Sequence, residues 1–340
     1  MHWMFFSLCI GELTLRIYAP RLGTHDDFLR FSANALEQGQ SLVEYGTYID
    51  QRDFADDPKG RDLLGWSRTS NWYDDKPTAQ EKFSILLLGD SVTQGDGLEP
   101  QEVYPHLLYR KFAENSVKVL NAGCSGYGID QMLFKGLRKS HKHKPDLIIF
   151  SFIPHDLIRV SKNFMYGRGK PKITFTGDTI SVDPVVNAGL RHDSYERTLN
   201  GSSLLYWYLQ NEIWPNAEYY APELYRKYCR KVYTYIYEQM ATLAKERRLE
   251  VVFVKLTNSF EFRGEKTLIS VAEEVFSTNT AAGLSYYDMD ECIGREIDLD
   301  DPESDSMFYF HPTAEGHRLF AEGLSELITS ANRQHAPQSH

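Results

Sequence analysis

The chain has 340 residues, enough for one large domain or two small ones. Its 37 basic residues face 47 acidic ones, a net charge of −10 with no long basic run, which argues against nucleic acid as a partner. Its four cysteines, Cys9, Cys124, Cys229 and Cys292, form no C-x-x-C pair; this argues against a zinc site, frames no disulfide set and leaves the compartment open. Aromatic residues make up 13%, with 21 tyrosines, a composition suited to a well-packed core.

Trp3–Gly11 is uncharged and mostly apolar, and Glu12 and Arg16 follow. A membrane-spanning helix needs ~20 apolar residues, so this stretch is too short by itself. No basic segment precedes it and no clear small-residue cleavage site follows. Two readings stay open. One is the end of a membrane anchor or signal, which would favour membrane association through the N-terminus and a periplasmic, extracellular or membrane-anchored location. The other is an ordinary helix packed on the core, which would favour the cytoplasm. Residues 17–80 show weak periodicity, and residues 1–80 are read together as an N-terminal extension.

From Ser84 the pattern sharpens. Ser84–Leu88 reads as a buried strand, Gln101–Glu114 as a helix with Val103, Leu107, Leu108 and Phe112 on one side, and Val117–Leu120 as a strand. Ile129–Arg138 reads as a helix, and Leu147–Phe152 as a strand announced by Pro145-Asp146. This alternation predicts a mostly parallel sheet between two helical layers. It then breaks. Lys172–Thr176 and Thr179–Val182 flank Gly177-Asp178 as a β-hairpin, with Ile173, Phe175, Ile180 and Val182 on its apolar face, inside an insertion from about 159 to 216. The core resumes with a helix at Pro222–Arg247 whose stripe is Leu224, Tyr228, Val232, Ile236, Met240 and Leu243. Val251–Lys255 is a strand, Leu268–Phe276 a helix and Leu284–Asp288 a strand. A last helix starts near Pro312, a residue suited to a first helical turn, and residues 331–340 form a polar tail expected to fray.

Two short segments carry the chemistry. The strand at 84–88 runs straight into Gly89-Asp90-Ser91, which places a hydroxyl at the C-terminal edge of the sheet, where open α/β folds build their sites. A serine hydroxyl is a poor nucleophile until a base takes its proton. His311, at the opening of the last helix in His311-Pro-Thr-Ala-Glu-Gly-His317, is the candidate base, because sequence distance does not limit spatial distance. His317, six residues on inside that helix, reads as a packing residue. Ser125 lies in Gly123-Cys-Ser-Gly-Tyr127, which lacks the closing glycine of a nucleophile elbow.

Four blocks in order resemble the SGNH (GDSL-type) hydrolases, mostly esterases and acyl hydrolases, over about residues 83–327. They are Gly89-Asp90-Ser91 followed by Gly95 and Gly97; Asn121-Ala-Gly123-Cys-Ser-Gly126-Tyr127-Gly128; Phe152-Ile-Pro-His155-Asp156; and His311. The resemblance implies a three-layer α/β/α, flavodoxin-like sandwich with a mostly parallel five-stranded sheet. It also implies a serine esterase acting on an acyl or acetyl ester of a lipid or carbohydrate, without metal or organic cofactor. Ser91 would be the nucleophile and His311 the base. The Ser91 and Gly126 amides, with a side chain from the third block, would form the oxyanion hole. Asp90, Asn121 and Asp156 would support the site, Asp90 by ordering the turn.

Two positions depart from the family pattern. His155 stands where an asparagine is usual; a neutral imidazole has one N–H and can replace the amide donor in the right tautomer. Phe308 stands three residues before His311, where an aspartate is usual. Asp305 is the nearest upstream substitute and Asp301 the next; otherwise a backbone carbonyl or a water orients His311 in a Ser–His dyad. Two alternatives use the same residues: an acyltransferase, and a glycan- or lipid-binding protein that has lost the chemistry.

Overall fold

The computed structural model describes residues 83–112, 117–162, 164–165, 168–169, 171–177, 179–183, 222–259, 265–277, 283–299 and 301–335. The N-terminal extension, most of the insertion and the last five residues lie outside them, and with them the apolar Trp3–Gly11 stretch. The described residues divide into two compact units, one holding residues 83–159 and 228–335, the other lying between 160 and 227.

The larger unit is built on five strands: β1 (Phe83–Gly89), β2 (Val117–Gly123), β3 (Leu147–Phe152), β8 (Glu250–Lys255) and β9 (Leu284–Asp288). Their order is β2-β1-β3-β8-β9 and every pairing is parallel. Strands covered on both faces read as continuous apolar runs, and Ile85–Leu88 and Leu147–Phe150 are such runs, all buried. One face carries Phe83, Ile85, Leu87, Val119, Ile149 and Val254 into a core shared with α2 (Tyr104–Phe112) and α9 (Ala314–His335). On the other face Phe253 stacks on Phe276 of α6 (Glu265–Ser277) and on Tyr237 of α5 (Pro222–Arg247). The α3 helix (Ile129–His143) joins that layer, with Gly136 set closely against Leu88. Burying each such Leu, Ile or Phe is worth ~1.5–3 kcal/mol. The order β2-β1-β3 makes the gap between β1 and β3 the topological switch point, where α/β sheets of this kind open a crevice.

The smaller unit contains two antiparallel ribbons, β4 (Phe164–Met165) with β5 (Arg168–Gly169), and β6 (Lys172–Thr176) with β7 (Thr179–Asp183). The second is the hairpin read from Gly177, which sits at φ +62°. Ile173 is buried, whereas Ile180 and Val182 are exposed.

Several boundaries differ from the sequence reading. The expected helix at 101–114 is split into a 3₁₀ turn (Pro100–Glu102) and α2, because Val103 is extended and buries its side chain. The helix at 129 runs on to His143 and stops at Lys144 in the left-handed region, and α9 continues to His335. Leu224 is 64% exposed; the inner stripe of α5 runs through Tyr225, Cys229, Val232, Ile236 and Met240. Three short helices escaped periodicity altogether: α4 (Pro154–Arg159), α7 (Met289–Ile293) and α8 (Pro302–Met307). Each is too brief to show a repeat. Among the described residues no helix is long and apolar enough to cross a membrane.

Candidate active site

Ser91 opens a single helical turn, α1 (Ser91–Gln94), immediately after β1. The carboxylate of Asp90 caps that turn, its Oδ1 accepting from the Val92 amide at 2.9 Å. The turn ends at Gly95, whose φ of +88° suits glycine and whose N–H donates to Ser91 O. Gly89 is obligatory for space, since a Cβ there would meet Thr93 Oγ1 at 1.8 Å. The hydroxyl of Ser91 is thus fixed at the C-terminal edge of the sheet on a residue only 5% exposed.

His311 arrives from the loop between α8 and α9. Its Nε2 lies 3.0 Å from Ser91 Oγ. Ser91 Oγ also lies 3.2 Å from Asp90 Oδ2, so the one hydroxyl proton has two acceptors; directed at His311, it is directed at a base. Phe310 stands beside the imidazole with ring centroids 4.7 Å apart.

The second block is stitched to the turn that carries Ser91. Asn121 Nδ2 donates to Thr93 O and its Oδ1 accepts from the Gly123 amide, both at 2.9 Å. The Cys124 amide donates to Gly89 O, and the Ser125 amide to Gln94 Oε1. Gly126 follows in the left-handed region at φ +79°, which glycine adopts without strain. His155 is half-buried on α4, after β3, on the other side of the switch point.

Beneath these segments lies a buried charged cluster that sequence reading missed in part. Arg159 Nη1 donates to Asp156 Oδ1 at 2.5 Å and to Tyr127 O at 2.7 Å, and lies 3.4 Å from Asp90 Oδ2. Burial holds the Asp156 carboxyl well above the usual carboxylate range; the charge of Asp90 pushes the same way, and Arg159 and the Ile153 amide pull back. Arg159 therefore joins the residue before Ser91, the residue after Gly126 and the residue after His155. The clue in the sequence was its i,i+3 spacing from Asp156. A buried arginine is indistinguishable from a solvated one until the fold is known.

Both acids considered for His311 belong to α8 and its cap. Asp305 lies on α8 with an exposed side chain; its main chain is engaged, the carbonyl accepting from Ser259 Oγ and the Phe308 amide. Asp301 caps the same helix, accepting from the Glu303 and Ser304 amides at 3.1 Å. Among the described residues neither carboxylate makes a hydrogen bond to the histidine. Phe308, where an acid is usual, is fully buried against Phe320. Among the described residues the hydrogen bond to Ser91 is the one side-chain hydrogen bond that His311 makes. His317 is a packing residue: its Nδ1 accepts from the Tyr104 amide at 3.1 Å and its ring stacks on Tyr104. No group of three or more His, Cys, Asp or Glu among the described residues is placed to hold a metal ion.

A serine at the switch point of a parallel α/β/α sheet, with a histidine nitrogen in hydrogen-bond reach, is the arrangement of a carboxylic ester hydrolase of the esterase and lipase kind. The family follows from the sequence: residues 87–319 match the model of the GDSL-like lipase/acylhydrolase family, and the chain belongs to it. No curated protein matches the chain. Its structure is similar to that of TesA, at 13% identity and a TM-score of 0.42 over 73% of this chain and 99% of that one. It is also similar to the esterase EstA from Pseudoalteromonas sp., at 15% identity and a TM-score of 0.38 over 73% and 97%. A third similar structure is Axe2, an acetylxylan esterase from Geobacillus stearothermophilus, at 12% identity and a TM-score of 0.44 over 73% and 96%.

Proposed function

We propose that the protein hydrolyses acyl or acetyl esters of a lipid or carbohydrate through a covalent acyl-enzyme on Ser91, with His311 as the general base and no carboxylate partner among the described residues. Ser91 Oγ adds to the ester carbonyl while its proton passes to His311 Nε2. The tetrahedral oxyanion is held by the Ser91 and Gly126 amides and by an N–H of His155. Collapse breaks the bond to the leaving oxygen, which takes the proton from His311. Water then repeats the sequence on the acyl-enzyme, its proton going to His311 and the hydroxyl of Ser91 being restored. The observation that carries this reading is the 3.0 Å separation of His311 Nε2 and Ser91 Oγ, which fits a nucleophile and its base. The exposed Asp305 carboxylate supports a dyad over a triad.

The test is a panel of short-, medium- and long-chain esters and acetylated sugars, run with the wild type and with Ser91→Ala, His311→Ala and the double variant. Each single substitution should abolish most activity and the double should be little worse, because members of one catalytic unit do not add. An organophosphonate should label Ser91. Full activity in Ser91→Ala refutes the reading, and absence of labelling in a folded protein refutes it in favour of a binding protein that keeps the fold.

A further inference from the structure

Among the described residues no acid is hydrogen-bonded to the imidazole of His311, which has to keep its place by other contacts. Its backbone stands in a demanding position: Phe310, the preceding residue, has φ +54°, a left-handed conformation that costs a non-glycine residue ~1 kcal/mol or more. Such a conformation persists where surrounding contacts over-determine it. Those contacts come from the segment that continues β8 past Lys255. Leu256 still bonds to the sheet, its amide donating to Phe152 O at 2.9 Å, and Thr257 is buried. Asn258 then points its side-chain amide at the histidine loop. Its Nδ2 donates to Phe308 O and to Phe310 O, each at 3.1 Å. The Ser259 amide adds a third bond to the loop, to Phe308 O at 3.2 Å. One amide group therefore grips the carbonyls on either side of Tyr309 and closes the turn from which His311 projects.

We propose that Asn258 is the positioning residue of this site: it supplies, through the main chain of residues 308–310, the orientation of His311 that a triad acid supplies through the imidazole itself. The inference rests on His311 being the base. It separates two jobs that an aspartate performs together, holding the ring and stabilising its charge. Asn258 does the first and, being neutral and bonded to carbonyls, leaves the second undone. Displacing a base by ~1 Å can cost about 10²-fold in rate while leaving substrate binding alone.

The experiment compares Asn258→Ala with Ser259→Ala in the full chain. Ser259→Ala deletes a neighbouring bond, from Ser259 Oγ to Asp305 O, and leaves both Asn258 bonds in place. Asn258→Ala should lower kcat by about 10–100-fold, leave KM within about twofold, and leave the acid limb of the pH–kcat profile where it was, since no charge near the imidazole has changed. Phosphonate labelling of Ser91 should slow in proportion. Ser259→Ala should keep kcat within about threefold of wild type, as surface substitutions away from such features do. If Asn258→Ala does not fold, Asn258→Leu, which keeps bulk and deletes both donors, is read the same way. The proposal is overturned if the Asn258 variant retains kcat within about threefold, if the two variants fall alike, or if the apparent pKa moves by about one unit. Loss of positioning and loss of the mechanism are distinguishable: wild-type protein that fails to label at Ser91 refutes the hydrolase reading, whereas wild-type labelling with an unimpaired Asn258→Ala refutes only the clamp.

Discussion

Replacing Arg159 by methionine tests whether the buried cluster under Ser91 holds the site together. Arg159 is 3% exposed and its guanidinium meets Asp156, Asp90 and the Tyr127 carbonyl. Methionine fills much of the volume and removes the cation, leaving two carboxyl groups buried side by side. Breaking a buried ion pair by deleting one partner costs ~3–5 kcal/mol, a large share of the ~5–15 kcal/mol that stabilises a domain. At ~2–4 °C per kcal/mol for a domain of this size, Tm should fall by ~6–20 °C.

The pH dependence has a definite sign. Asp156 has a raised pKa in the folded state, so between the ordinary aspartate value and the raised one the folded protein binds more protons than the unfolded chain. Stability in that window falls as pH rises. Without Arg159 the carboxyl is raised further and the window widens, so the penalty of the substitution should be smaller near pH 5 than near pH 8. Thermal unfolding followed by circular dichroism at both pH values, with kcat measured on the folded fraction, decides the matter. Arg159→Lys keeps the charge, lacks the planar fork, and should recover part of the stability. A loss below about 1 kcal/mol, or one that does not change with pH, refutes the reasoning.

Asp305→Asn should change kcat by less than about threefold, whereas loss of a true triad acid costs ~10⁴; steady-state kinetics on a short-chain ester separates the two. His155→Ala should lower kcat by ~10²–10³ with little effect on KM, His155→Asn should restore much of it, and His155→Phe should stay inactive while folding normally. Gly123→Ala should destabilise the protein by ~1–3 kcal/mol in denaturant unfolding and depress activity, because the new Cβ meets backbone that cannot yield. The contacts are 2.4 Å to the Gln94 amide nitrogen and 2.7 Å to Thr93 C.

Phe83–Gly89 and Leu147–Phe152 were legible as strands because a parallel sheet buries both faces and leaves a continuous apolar run. Gly89-Asp90-Ser91 was legible as a turn at the C-terminal edge of the sheet because its position after such a run is a local property of the chain. So were the Lys172–Asp183 hairpin and the long α5 helix, each announced by its own period or turn residues. Hydrophobic periodicity reports which face of an element is buried, and a sequence carries that within a window of a dozen residues.

The rest depends on which elements become neighbours. The order β2-β1-β3-β8-β9 puts the turn after β1 beside the helix after β3, and so turns Arg159 from one more basic residue into the buried link between three parts of the site. The same order brings the end of β8 under the loop of His311, giving Asn258 two carbonyls to bind. Asp305 read as the nearest acid because spacing along the chain was the only measure at hand; the α8 helix, capped by Asp301, sends its carboxylate to solvent. A hydrogen bond or a buried charge needs its partner within about 3 Å, and pairs such as Ser91 and His311, 220 residues apart, meet that condition only after the layers have packed.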